Sequence, residues 1–319
     1  MARREAAPRR RERMMGDQGA AGQRVLVTGA TGFVGRHLCR RLAADGYRVF
    51  GLSRQDRSEK TTAGWVSLDL RQPFDPGLLP DPIDVVMHLA ANRRRSEMGP
   101  ERLAEEVATN VEATARLYAW AASAGVRSIV HLSTADVVAR GPHDRELPTE
   151  EAPVVEPTSH PYAVTKLWGE QVALRQRAAG RTVTILRPSN VYGPGQPERS
   201  LLVGLGRDLE RGEPITLALP EGHRYAPLFV DDLVDVLAWA AAADEDHLLN
   251  VAGPPIFERD LLHVLGATLG LEVVLAPPDE RPALGVAPCL DRLERALPER
   301  QRTSLNEGLK LTYGSAPGG

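Results

Sequence analysis

From Arg24 onward, short apolar runs alternate with longer stretches in which apolar positions recur at helical spacing. The runs 24–28, 47–52, 84–90, 127–133 and 182–187 are of strand length and rich in Val, Ile and Leu. Between them, 33–45, 100–123 and 161–179 carry the 3.6-residue pattern. The first of these helices closes on Asp45-Gly46, where glycine accepts the left-handed cap conformation. Strand and helix in strict alternation predict an α/β fold built on a parallel sheet. Beyond Pro188 the rhythm loosens, punctuated by Gly193-Pro194-Gly195, by Gly212 and by a Pro-rich segment at 277–288. A core over 24–187 is therefore expected, then a smaller region over 188–313 interleaved with it, and a flexible tail over 314–319. No internal repeat is present.

Composition narrows the class. With 319 residues, 42% apolar and 25% charged, the chain is long enough to bury a large core, and a net charge of -3 gives no basic surface for nucleic acid. Cys39 and Cys289 are the only cysteines and lie far apart, so neither a disulfide framework nor a metal cluster is expected, and a reducing cytoplasm is the expected compartment. No stretch approaches the roughly 20 apolar residues of a membrane span. Residues 1–23 are different in kind: six arginines lie among Ala, Pro and Gly with no apolar run behind them, which predicts a disordered extension rather than an export signal. Translation starting at Met14 or Met15 is the other reading.

Candidate chemistry begins at Val25-Leu26-Val27-Thr28-Gly29-Ala30-Thr31-Gly32-Phe33-Val34-Gly35, which is strand, glycine-rich turn and helix start in that order. Gly29 permits the tight turn, Gly32 lets the backbone approach a pyrophosphate, and Gly35 lets helix and strand pack closely. The helix N-terminus offers unpaired N–H groups to the anion. The order predicts a Rossmann-type, doubly wound sheet binding a dinucleotide through Gly29, Thr31, Gly32, Phe33, Val34 and Gly35. The second strand ends in Ser53-Arg54, where an NAD-specific protein usually carries an acid for the ribose 2′-hydroxyl. A hydroxyl and a guanidinium suit a 2′-phosphate instead, which favours NADP(H), with NAD the alternative if Arg54 is only a solvated loop charge. Asp69 and Leu70, and the run Leu89, Ala90 and Ala91 after His88, fall where the third and fourth strands would border the adenine and the pyrophosphate.

Tyr162 and Lys166 are four residues apart and so share a helical face. A phenol titrates near 10, and using it as an acid or base near neutrality needs roughly 4 kcal/mol of differential stabilisation, which an adjacent ammonium and a positive nicotinamide ring supply. Ser133 and Thr134 end an apolar strand at the edge where doubly wound sheets bind ligands.

In these motifs the chain resembles the extended short-chain dehydrogenase/reductase family, in its sugar-nucleotide epimerase/dehydratase branch. The likeness runs from about residue 24 to 313. It rests on Thr28 to Gly35, His88 to Ala91, Thr109-Asn110-Val111, Ser133-Thr134, Pro161-Tyr162 with Lys166, Leu186 to Gly195, Phe229 to Leu233, and Ser304 to Leu309. The resemblance implies Tyr162 as acid/base, Lys166 as its partner and ribose contact, and Thr134 as the hydroxyl that holds the substrate oxygen. It also implies Asn110 and Pro188 beside the cofactor, and Ser133 and Asn190 on the substrate. Relatives pair through a helix bundle that includes the Tyr162 helix, so a homodimer is the expected assembly.

Two departures qualify it. Dehydratases of the family carry an Asp-Glu pair directly after the hydroxyl, and here those positions read Ala135-Asp136, which disfavours elimination of water. Before Val230-Asp231-Asp232, where nucleotide-binding relatives place a phosphate-pairing arginine, the count falls on Tyr225, with Arg224 adjacent. Arg93, Arg94 and Arg95 read as a solvated basic loop or as an anion contact. The expected function is hydride transfer at a sugar-like alcohol or ketone, probed as a nucleotide-sugar 4-ketoreductase or 4-epimerase. Two other classes stay open: an NADPH-dependent reductase of sterol- or flavonoid-like ketones, and a non-catalytic redox sensor, against which the Thr134/Tyr162/Lys166 set argues.

Overall fold

The computed structural model describes residues 22–55, 62–92, 100–138, 149–151, 161–217, 222–279 and 287–314. Most of the N-terminal extension and Arg93 to Arg95 lie outside them. The first half of the chain forms β1 (Arg24–Thr28), α1 (Phe33–Ala44), β2 (Arg48–Ser53), β3 (Gly64–Ser67), β4 (Val85–His88), α2 (Pro100–Val107), α3 (Ala113–Ser123), β5 (Ser128–Leu132), α4 (Pro161–Leu174) and β6 (Thr182–Pro188). Then come β7 (Val191–Tyr192), α5 (Leu201–Arg211), β8 (Ile215–Thr216), β9 (Arg224–Tyr225), β10 (Leu228–Phe229), α6 (Val230–Ala242), β11 (His247–Val251), β12 (Ile256–Phe257), α7 (Glu258–Leu269), β13 (Leu275–Ala276), α8 (Asp291–Ala296) and α9 (Leu305–Tyr313).

Seven strands form one parallel sheet in the order β11-β6-β5-β4-β1-β2-β3. The chain runs outward from β1 to β3 and then returns to lay β4 on the other side of β1. That reversal opens a crevice beyond the carboxyl ends of β1 and β4. The central strands are mostly apolar because each face is covered. Val25, Val27, Val85 and Met87 point into a core shared with α1 and α6, while Leu26, Val86, Ile129 and Ile185 point into a second core under α3 and α4. The seventh strand, β11, comes from beyond residue 188, and α6 lies against α1, so the chain's second half completes the sheet. A third apolar cluster gathers Leu202, Leu205, Leu261, Leu265 and Leu309 between α5, α7 and α9.

Element boundaries shift for identifiable reasons. The run expected as a strand over 84–90 stops at His88 because the Thr28 carbonyl and hydroxyl take the N–H groups of Leu89 and Ala90. The helix expected over 100–123 is broken by a π-turn at Ala108–Glu112, and the one over 161–179 tightens to a 3-10 turn at Arg175–Ala179 before Gly180 closes it with φ +73°. No helix of the described residues is long and apolar enough to cross a membrane.

The sheet interior also buries two imidazoles. His88 and His131 are register partners on β4 and β5, with rings 5.6 Å apart. His88 Nδ1 lies 2.7 Å from the Thr28 hydroxyl and Nε2 2.9 Å from that of Thr114. His131 Nδ1 meets the Tyr118 hydroxyl at 2.8 Å, and its Nε2 has no partner. Burial holds both neutral, pushing His88 down to about 3 and His131 well below the ordinary value. Because the folded values are depressed, the unfolded chain takes up two protons below about pH 6.5 that the folded one refuses. Stability is intact above that value and is lost as pH falls toward the folded ones. Between pH 7.5 and 5.0 the pair should cost about 4 kcal/mol. Guanidinium unfolding at the two pH values measures this, and His131→Gln should remove about half of the dependence; an unchanged dependence would show that His131 does not titrate on unfolding.

Candidate active site

The glycine turn closes against the neighbouring strand. Gly29 sits at φ +70°, and a Cβ there would lie 2.9 Å from the Ala90 nitrogen; one on Gly35 would lie 2.2 Å from the Gly29 carbonyl oxygen. Gly32 precedes α1 in an extended conformation, and no side chain caps the helix. The first N–H groups of α1 therefore point into the crevice, and the turn fits a dinucleotide pyrophosphate. Leu89, Ala90 and Ala91 form the opposite lip, held to β1 by the Thr28 hydroxyl, which accepts the Ala90 N–H at 3.2 Å. The Thr31 carbonyl accepts from Arg36, while Phe33 and Val34 turn toward the substrate side.

At the end of β2, the Ser53 hydroxyl donates to the Gln55 carbonyl and is buried, whereas the Arg54 side chain is exposed. Of the expected pair, the guanidinium is the group available to a 2′-phosphate. Asp69 is gripped by Arg71, whose Nε and terminal nitrogen reach both carboxylate oxygens, and those hydrogen bonds hold its carboxyl below the usual range. Leu70 sends its side chain into the core, and its carbonyl accepts from Arg116 at 3.4 Å.

Asn110 braces the crevice. It lies in the π-turn, fully buried; its amide oxygen accepts the Asn92 N–H at 2.8 Å, and its amide nitrogen donates to the Asn92 carbonyl and to the Thr165 hydroxyl. Thr165 in turn donates to the Tyr162 carbonyl. Both hydrogens of the amide are spent, so Asn110 ties the loop after β4 to the helix that carries Tyr162. Gly169 makes this approach possible, since a Cβ there would stand 2.9 Å from the Asn110 carbonyl oxygen.

One cavity opens at the carboxyl ends of β5 and β6. Ser133, Thr134, Tyr162, Pro188 and Asn190 all line it, beside Phe33, Val34 and Leu132. Thr134 is 6% exposed, and its oxygen accepts the Asp136 N–H at 3.2 Å, which leaves its hydrogen to donate into the cavity. Ser133, also in the lining, donates its hydroxyl hydrogen to Glu170. Ala135, at 2% exposure, puts a methyl group where dehydratases carry the first acid. Lys166, one turn beyond Tyr162, is buried; desolvation pushes its ammonium down to about 8 against the raising influence of Glu170.

Arg224 and Tyr225 do not join this set. Successive residues of β9 point to opposite sides: Tyr225 packs on the α5/α7/α9 cluster, and the Arg224 guanidinium lies 5.7 Å from the ring centre of Phe257. The cation lining the cavity is Arg199, before α5, together with Ser189 and Ser200. Sequence reading passed over Arg199 because it sits in an irregular loop with no periodicity to give it a direction.

The NAD dependent epimerase/dehydratase family model matches residues 25–252. The chain belongs to that family. It is 28% identical to a dTDP-4-dehydro-6-deoxy-D-allose reductase of Streptomyces bikiniensis over 90% of this chain and 95% of the relative. It is 33% identical to the UDP-glucose 4-epimerase of Mycolicibacterium smegmatis over 68% of this chain and 72% of that one. A further reductase of the same description, from a Streptomyces species, matches at 32% over 55% of this chain and only 58% of its own length. Among solved structures, MoeE5 in complex with UDP-glucuronic acid and NAD superposes with a TM-score of 0.76 at 29% identity, covering 91% of this chain and 97% of that one. These findings bear out the expected family and doubly wound fold, and an NAD(P)-dependent enzyme of the epimerase/reductase type.

The buried ammonium carries a test of its own. Lys166 falls from 10.5 to about 8, so its charge opposes folding fully below about pH 8, and the penalty fades as pH rises toward the unfolded value. Lys166→Met should therefore raise stability at pH 7 by up to about 3 kcal/mol in chemical denaturation while turnover is lost. A variant less stable than the parent would show the ammonium to be well satisfied in the fold.

Proposed function

We propose that the protein is a nucleotide-sugar 4-ketoreductase that uses NADPH. The observation that carries this reading is that Thr134 and Tyr162 line one cavity at the carboxyl ends of β5 and β6, while the dehydratase acid position is the buried methyl of Ala135. A bound NADPH would supply the hydride for such a reduction. Thr134 donates a hydrogen bond to the carbonyl oxygen, and Tyr162 delivers the proton that turns it into a hydroxyl. Lys166, buried one turn along the same helix, favours the phenolate left by that transfer and thus assists it. Asn190, Ser189 and Arg199 line the same cavity, and a guanidinium there suits the phosphates of a nucleotide-linked sugar. The relatives described as acting on dTDP-linked keto sugars support that substrate class.

Arg54 supports NADPH over NADH, since it is exposed at the end of β2 with no carboxylate in the place of the ribose-binding acid. A second reading, a 4-epimerase that retains NAD, is supported by the UDP-glucose 4-epimerase relative and by neighbours whose structures hold NAD.

Calorimetric titration with NADPH and NADH separates these readings. A reductase binds NADPH more tightly and is purified with an empty site, and Arg54→Ala should weaken NADPH by roughly tenfold or more while NADH changes little. Tightly held NAD in the purified protein, or equal loss for both nucleotides in Arg54→Ala, would favour the epimerase.

The catalytic roles divide kcat from KM. On a 4-keto sugar nucleotide, Tyr162→Phe should lower kcat by about 100-fold or more with nucleotide binding retained, whereas Arg199→Ala should act mainly by raising KM. Full turnover in Tyr162→Phe would overturn the proton-transfer assignment.

A further inference from the structure

Behind the cavity wall lies a carboxylate that the hydride-transfer scheme does not use. Glu170 stands one turn beyond Lys166 on α4 and is 1% exposed. Its Oε1 accepts from the Ser133 hydroxyl at 2.5 Å and from Arg187 Nε at 2.9 Å, and its Oε2 accepts from the terminal nitrogen of Arg187 at 2.7 Å. Arg187 is itself buried at 3% exposure and spends its remaining terminal nitrogen on the Glu150 carbonyl at 3.1 Å. Ser133 and then Thr134 directly follow the last residue of β5, and Arg187 immediately precedes Pro188 on β6. One carboxylate thus joins the three segments that supply the reacting hydroxyl, the cavity floor and the Tyr162 helix.

We propose that Glu170 is a positioning residue of the hydride-transfer site, which holds the Thr134 end of β5 and the Pro188 end of β6 against the Tyr162–Lys166 helix and neutralises the two buried cations around it. This rests on the oxidoreductase reading given above. A buried carboxylate bonded in fork geometry to a guanidinium fixes both orientation and distance, because the two parallel bonds allow no rotation. A helix and two strand ends tied through one such fork cannot drift apart by the ~1 Å that ruins a reacting geometry. Charge follows the same logic. The titratable groups on the elements around this stretch of α4 are His88 of β4, His131 of β5, Tyr118 of α3, Glu106 of α2 and Arg187 of β6, with Glu150 beyond Arg187. Burial keeps both imidazoles neutral, and Glu170 is the group that raises Lys166 against its desolvation. Without the Glu170 charge, Lys166 loses the attraction that opposes its desolvation and releases its proton at lower pH.

The test compares the parent enzyme, Glu170→Gln and the double variant Glu170→Gln/Arg187→Met across a pH series, reading kcat, KM for NADPH, and the pH dependence of NADPH binding without turnover. Gln keeps the shape and one acceptor but not the charge. Glu170→Gln should lose about tenfold or more in kcat, with little change in KM, and the alkaline limb of the profile should move acidward by about one pH unit. In the double variant the carboxylate is still missing, so the limb should stay acidward of the parent's position while kcat stays low. Should the single variant fail to fold, the double variant, in which a buried ion pair is replaced by a neutral one, carries the same comparison. A lowered kcat with an unmoved alkaline limb would reduce Glu170 to a fold staple and overturn the proposal, as would parental kcat and profile. If the parent binds NADPH but reduces no 4-keto sugar nucleotide, the functional reading falls, and the pH dependence of NADPH binding still decides the role of Glu170.

Discussion

Everything in the site depends on α1 being seated against the end of β1 with no side chain between them. At Gly35 the helix comes so close that a single methyl group would overlap the Gly29 carbonyl, and at Gly29 the turn meets the backbone of Ala90 across the crevice. These two contacts fix the helix N-terminus at the point where the strand order reverses. On the reading proposed above, a dinucleotide would be held by this turn, and the hydride-transfer site would lie at the carboxyl ends of β5 and β6, where Thr134 and Tyr162 line the cavity. The positions of the reacting groups are thus consequences of a packing distance set about a hundred residues earlier in the chain.

Holding those groups still requires polar ties inside an apolar sandwich, and the protein uses two. One runs from the Asn92 backbone through Asn110 and Thr165 to the Tyr162 carbonyl; the other runs from Ser133 through Glu170 and Arg187 to Glu150. Buried polar groups cost free energy unless their hydrogen-bonding capacity is met, and an apolar replacement of similar shape is often as stable. Their use here makes sense through geometry rather than stability, since a fully bonded amide or fork leaves its partners one arrangement. Lys166 and the His88/His131 pair are the opposite case: groups whose ordinary charge is opposed by their surroundings, gathered on and beneath α4. Concentrating unfavourable burial in one place is characteristic of reacting centres.

How much of this the sequence displayed follows from the range of each interaction. The glycine turn, the strands around it and the Tyr162/Lys166 spacing are written in consecutive residues, and each predicted feature has a place in the structure. Asn110 was visible as a helix asparagine, but the π-turn that aims it and the two segments it joins are not local facts. Glu170 falls at i+4 from Lys166, a spacing open to reading, yet its partner Arg187 belongs to a strand whose neighbour only the sheet order reveals. Arg224 and Tyr225 were placed by counting along the chain. The pairing of β9 with β12 then decides which side each faces, and it turns neither into the described cavity wall. Local periodicity carries elements and motifs, while long-range pairing carries direction.

The same distinction bears on what the enzyme recognises. Part of the cavity lining, Leu132, Ser133, Thr134 and Pro188, comes from the ends of β5 and β6, whose positions follow from the fold. Another part comes from the segment after Asn190, where Pro197, Arg199 and Ser200 reach the cavity from a loop leading into α5. That loop is anchored at its start by α1, since Arg36 donates to the Gly195 carbonyl and His37 meets the Pro194 carbonyl and Asp231. Side chains of the cofactor-binding helix therefore hold the segment that presents the cavity's cation. A loop free to change its sequence but fixed at its root can exchange one phosphate-binding side chain for another without disturbing the reacting groups. On the reading proposed above, the cation offered to a nucleotide-linked sugar is thus Arg199, presented from the loop before α5, and not a residue at position 225.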